Sequence, residues 1–167
     1  MTQPEDNFAR AVTSRTLLSI YDTWKILAAG RIGPRRAEVT PAQLRRTIAW
    51  TFTIEVVDGG RDFRFGFAGD KVMQFLEQRC AASTLAGMKA SNFFAGAGNL
   101  FRHCVESKKP LLSGPKPASY PGKEHLEREV LLLPLSEDGV HVTGLLGAFE
   151  TWRLGTNQHA AAPVLAE

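Results

Sequence analysis

The spacing of hydrophobic residues changes several times along the chain, and each change marks an element. From Phe8 to Ala29, the apolar positions Val12, Leu17, Ile20, Tyr21, Trp24, Leu27 and Ala28 recur at helical intervals, with Arg15, Ser19, Asp22 and Lys25 between them. This is the pattern of an amphipathic helix, stopped at Gly30. Residues 31–39 contain Gly33 and Pro34 and read as a loop. Thr40-Pro41 then places an N-cap hydroxyl before a proline at the first helical position, which predicts a short second helix to about Ile48. The period next drops to two. Trp50, Phe52, Ile54 and Val56 alternate with Thr51, Thr53, Glu55 and Val57, and beyond Asp58-Gly59-Gly60 the residues Phe63, Phe65 and Phe67 alternate with Arg64 and Gly66. Two strands and a glycine turn make a hairpin with an aromatic inner face.

Helical spacing returns from Asp70 to about Gln78 and loosens around Gly87 and Asn92-Phe93-Phe94. Asn99 to Ser107 is a further helix with Leu100, Phe101, Cys104 and Val105 facing inward, ended before Pro110. The Gly/Pro/Ser-rich stretch 113–122 allows only a short or edge strand. Two strands follow, about His125 to Leu135 and Val140 to Trp152, joined by Ser136-Glu137-Asp138-Gly139. Strands linked by hairpins around a cluster of helices indicate an α+β fold with an antiparallel sheet and a helix layer on one face. The expected organisation is a flexible tail at 1–7, a helical leader at 8–48, a core at 49–153 and a second flexible tail at 154–167.

Composition narrows this only modestly. A chain of 167 residues with 44% hydrophobic and 22% charged residues is one globular domain, too short for a TIM barrel or a two-domain nucleotide enzyme. The net charge of +3 is too small a surplus to imply a nucleic-acid partner. It is concentrated at Arg31, Arg35, Arg36, Arg45 and Arg46, opposed locally only by Glu38. That cluster reads as a solvated face or as a patch for a partner. Cys80 and Cys104 have no partner cysteines or histidines at metal-ligand spacing, so no metal site is expected. The acidic N-terminus has no apolar signal core, and no run is long enough to span a membrane, so a reducing cytoplasm is the expected location.

Particular strings resemble one family. Trp24, Gly30-Arg31, Pro34-Arg35 and Thr40-Pro41-Ala42-Gln43-Leu44 resemble the leader of small stand-alone bacterial PAS-like proteins. Asp62-Phe63-Arg64-Phe65-Gly66-Phe67-Ala68-Gly69 resembles their second strand, and Leu132-Leu133-Pro134-Leu135-Ser136, Asp138-Gly139 and Leu145-Leu146-Gly147-Ala148 resemble their last hairpin. The resemblance covers about residues 20–150. It implies a five-stranded antiparallel sheet enclosing a ligand pocket, preceded by N-terminal helices. It also implies a signalling module that senses a small ligand or binds a protein partner, with no output domain of its own. The implied assembly is a homodimer through the N-terminal helix; the alternative is that this helix caps its own sheet. Trp24, Arg31, Arg35 and Arg36 are the expected partner-binding residues.

The expected pocket is lined by Phe52, Phe65, Phe67, Phe75, Phe93, Phe94 and Phe101, with His103 beside them. Phenyl rings favour an apolar or planar ligand, unless they simply fill the core. Haem-binding PAS domains resemble this chain in carrying an axial histidine on the helix that here holds His103, yet a lone histidine there is more often solvent-facing, and haem is not the expected cofactor. A photoactive flavin is not expected either, because Gln78-Arg79-Cys80-Ala81-Ala82 lacks the asparagine and phenylalanine of the flavin-adduct string. The cofactor is therefore unassigned. Ser113-Gly114-Pro115-Lys116 has the spacing of a Ser-x-x-Lys nucleophile but lies in a Gly/Pro loop, and Gly96-Ala97-Gly98 lacks the third glycine of a dinucleotide site. Glu124, Glu127 and Glu129 read as a solvated strand face with Arg128 as counter-charge. The alternative function from a different class is a small α+β enzyme with a cone-shaped apolar pocket and His103 as general base.

Overall fold

The computed structural model describes residues 4–76, 83–86, 96–118 and 122–156, with side chains from Asn7 onward. Its strands are β1 (Thr51–Val57), β2 (Asp62–Ala68), β3 (Leu111–Pro117), β4 (Leu126–Leu135) and β5 (Gly144–Arg153), all paired antiparallel in one sheet of order β2-β1-β5-β4-β3. The α-helices are α1 (Pro4–Ala11), α2 (Arg15–Ala28), α3 (Pro41–Leu44), α4 (Asp70–Leu76) and α5 (Ala97–Ser107). This is the expected α+β architecture. No described helix is long and apolar enough to cross a membrane.

Strand alternation divides the core into two clusters. Phe52, Ile54, Phe63, Phe65, Val130, Leu132, Leu145 and Phe149 point to an inner face covered by α4 and α5. Leu131, Leu133, Leu135, Leu146 and Ala148 point to an outer face covered by α2. The unbroken run Leu131-Leu132-Leu133-Pro134-Leu135 follows from this arrangement, since a strand buried on both sides has no position to give to water. Pro134 is tolerated inside β4 because pairing with β3 reaches only Leu132, so no ladder donor is lost there. Its carbonyl instead accepts the Trp24 indole N–H at 2.8 Å.

The leader differs from expectation in two respects: the second helix, expected to about Ile48, is α-helical only over Pro41–Leu44 and gives way at Arg45, φ +53°, to a 3-10 helix through Trp50, and the first helix is divided. The helix predicted from Phe8 to Ala29 is two helices, and the first begins at Pro4, inside the stretch expected to be a tail. The break is held by hydrogen bonds. Ser14 is the N-cap of α2, its Oγ accepting from Leu17 N at 3.1 Å, and Glu129 of β4 accepts from Thr13 N, Thr13 Oγ1 and Ser14 N at 3.1, 2.7 and 2.9 Å. Glu129 is fully buried, and Ser14 Oγ also donates to Glu150, the cross-strand neighbour of Glu129. Of the predicted solvated glutamate face only Glu124, before β4, is exposed; within the strand the prediction is overturned, since Glu129 anchors the helix junction, Glu127 accepts from Trp152 Nε1 at 2.7 Å, and Arg128 projects to the opposite side of the sheet. Alternation along β4 separates this arginine from both neighbours.

Candidate functional site

The inner face encloses a cavity of about 390 Å³ among the described residues. Its walls come from β1 (Phe52), β2 (Phe65), α4 (Val72, Leu76), α5 (Leu100, Phe101), β4 (Val130) and β5 (Phe149). The rings brace one another around it. Phe101 meets Phe63 edge-on at 5.3 Å between centroids, Phe75 meets Phe149 at 5.1 Å, and Phe52 stands 6.0 to 6.4 Å from Phe65, Phe101 and Phe149. Tilted and edge-to-face contacts of this kind fix ring orientation beyond simple burial. Gly147 of β5 makes room for Phe52: a Cβ at that position would lie 2.2 Å from the ring.

One end of the cavity is cationic. Lys116 of β3 and Arg128 of β4 are direct cross-strand partners and both line the cavity, Lys116 exposed at its mouth and Arg128 half-buried within. Gly114 shapes this end, since the register of β3 shifts between Ser113 and Lys116 and Gly114 sits at φ +96° with space for a Cβ filled by the carbonyl oxygen of Arg128 at 2.4 Å. Burial, joined by the charge of Arg128, lowers the pKa of Lys116. Burial likewise lowers that of Arg128, a side chain with no accessible neutral form. Arg128 Nε is the buried side-chain polar atom that finds no hydrogen-bond partner among the described residues.

Of the residues expected in the pocket, Phe52, Phe65 and Phe101 line it. Phe75 packs behind Phe149 instead of lining the cavity. Phe67 is a correction: it lies at the end of β2, 39% exposed and away from the cavity. Phe93 and Phe94 lie outside the described residues, as does Cys80. His103 is a second correction. The helix turns Phe101 and Cys104 inward and leaves Arg102 and His103 exposed, so His103 does not line the pocket and can serve there neither as an axial ligand nor as a general base. No group of metal-ligating side chains occurs among the described residues. Lys116 and Arg128 line the cavity without having been expected from the ring pattern. The signal for Arg128 was present, because it shares the parity of Val130 and Leu132 on one strand.

The family model described as a PAS domain matches residues 12–150. The chain belongs to the PAS domain family. No curated protein and no solved structure matches the chain. As a PAS domain it is a signalling, sensory or interaction module in general, and the matched span includes both α2 and the whole sheet except the end of β5.

The leader of this PAS domain corrects one of the expected partner residues. Trp24 is buried against its own sheet, stacked at 6.0 Å on Tyr21, and has no surface to offer a partner. Arg31 closes the C-terminus of α2: its Nε and Nη2 donate to the carbonyls of Ala28 and Leu27 at 2.9 and 2.7 Å, and Nη2 also bonds Glu38 at 3.0 Å. That guanidinium and the Arg35 backbone N–H hold the Glu38 carboxyl below its usual pKa. Arg35, Arg36, Arg45 and Arg46 remain exposed, and their guanidinium groups form no ion pair among the described residues. The remaining cysteine, Cys104, is structural. It is fully buried, its thiol donates to the Lys109 carbonyl at 3.3 Å, and burial pushes its pKa up to about 12.

Proposed function

We propose that this PAS domain senses a small ligand held in the inner-face cavity. The supporting observation is that the aromatic core is incomplete there: eight of the aromatic and aliphatic side chains named above stand around about 390 Å³ instead of meeting across it, and interiors otherwise pack without voids of that size. The volume lies in the range of small-molecule sites. The alternative enzyme reading loses its general base with His103, and the described lining holds two cations beside no carboxylate, imidazole, thiol or hydroxyl.

The output would leave through the leader. Arg128 inside the cavity is followed in β4 by Glu129, which holds the α1–α2 junction on the opposite face. A ligand that shifts β4 would thereby loosen or tighten that junction, and the exposed Arg35 and Arg36 beyond α2 would meet the partner. Native mass spectrometry of protein purified without added ligand, with an absorption spectrum of the same sample, tests the sensing role. An extra bound mass, lost in a Val130→Phe variant that fills the cavity, is the expected result. A folded Val130→Phe protein that carries the same mass as wild type would place the ligand elsewhere.

A further inference from the structure

We infer that the ligand is an amphipathic carboxylate, its apolar or aromatic body among the phenyl rings and its anionic head between Arg128 and Lys116. The inference rests on the ligand-sensing reading above and names the chemistry of that site.

The argument begins with what the empty site costs. Lys116 and Arg128 face each other across β3 and β4, where like charges directly opposite are destabilising. Arg128 Nε, buried and unpartnered, forgoes the hydrogen bond it would have made to water. Neither cation has an ion-pair partner among the described residues. The glutamates flanking Arg128 lie on the other face, where Glu127 is engaged by Trp152 and Glu129 by Thr13 and Ser14. Fold stability alone gives no reason for a cation as deep in an apolar cavity as Arg128, since an apolar residue of similar length would pack there without penalty. A bound anion removes both costs together. A carboxylate suits the geometry better than a point anion because the Nε and Nη donors of one guanidinium form a planar fork that pairs with two oxygens. The phenyl lining supplies the other half of the specificity, since it would reject a small hydrated anion with no body to bury.

Titration calorimetry at neutral pH with matched probes tests this: 2-naphthoate against 2-naphthamide, and decanoate against decanamide. In at least one pair the acid should bind about tenfold or more tightly than its amide, as expected for a charge-assisted pair replacing an unsatisfied donor. Arg128→Met should reduce that ratio to near one while leaving amide affinity within about threefold, because the apolar part of the site is kept. Lys116→Met, at the exposed mouth, should reduce acid affinity by a smaller factor. Without ligand, Arg128→Met should melt at or above the wild-type temperature. Amides that bind as tightly as the acids would overturn the carboxylate inference and leave the sensing reading standing. Acid preference that survives Arg128→Met, or a marked loss of stability in that variant, would also overturn it by giving the arginine a structural role. Failure of every probe to bind, together with a ligand-free native mass, would remove the sensing reading and the inference with it.

Discussion

The two faces of the sheet are built from the same strands, yet they solve opposite problems. On the outer face every large side chain is met: α2 lays Leu17, Ile20, Tyr21 and Trp24 onto Leu131, Leu133, Leu135 and Leu146, and the buried Glu129 is supplied with three donors. On the inner face the rings touch one another but leave a cavity between them, and the charged group that reaches inward, Arg128, has a buried donor unpaired among the described residues. Buried polar groups are tolerated when satisfied and costly when not. A fold that satisfies its acid on one side of β4 and strands its base on the other has one face that contributes stability and one that gives some of it up.

Substitutions on each face should separate these roles. The largest effect is expected on the outer face, where Trp24→Ala removes a buried indole and orphans the Pro134 carbonyl. A loss of about 3–5 kcal/mol in urea unfolding is expected, with no change in ligand preference beyond the loss of folded protein. Next is Glu129→Gln, which keeps shape but turns an amide donor toward groups that are already donors, Thr13 and Ser14. It should cost about 1–3 kcal/mol, and hydrogen exchange at residues 12–14 should rise more than exchange in β5. On the inner face Gly147→Ala must displace the Phe52 ring and should cost about 1–3 kcal/mol while changing ligand affinity, which Trp24→Ala would not do.

The smallest effect is a pH dependence. Because the folded state lowers the pKa of Lys116, the unfolded chain holds that proton more firmly, and stability rises with pH through the window from the lowered value to the ordinary 10.5. The stability this group contributes is present above 10.5 and is lost as pH falls through the lowered value. Lys116→Met should flatten the slope, measured as melting temperature against pH below 10.5, and a bound carboxylate should flatten it too. Cys104 works in the opposite sense on the same alkaline side: its pKa is raised, so its contribution is present below 9.0 and is lost as pH rises toward about 12. Comparing Lys116→Met with wild type at each pH cancels that background.

Much of the fold could be read from the sequence because its signals are local. The β1–β2 hairpin announced itself through alternating phenylalanines around Asp58-Gly59-Gly60. Glycine and prolines obscure the pattern of β3, which therefore reads only as a short or edge strand, and it is the edge beside β4. The break between α1 and α2 could not be read from the leader, since the residue that fixes it, Glu129, is distant in sequence. The site was half legible. Ring identity points to Phe52, Phe65 and Phe101, whereas a pocket role for His103 rests on the family resemblance and the helical offset from Phe101 and Cys104 turns it outward. Lys116 and Arg128 become neighbours only through the register of β3 on β4, which no local pattern contains.

The sheet order has a consequence for biosynthesis. β5 emerges last among the described strands and yet lies at the centre, between β1 and β4, with Thr51 paired to Ala148. During synthesis the β1–β2 hairpin can form early, but β1 presents an open hydrogen-bonding edge until residues 144–153 leave the ribosome. A nascent chain stalled before Gly144 therefore holds two sheet fragments that cannot join, each with an unpaired strand exposed, and the closing event of folding is insertion of the final strand between them.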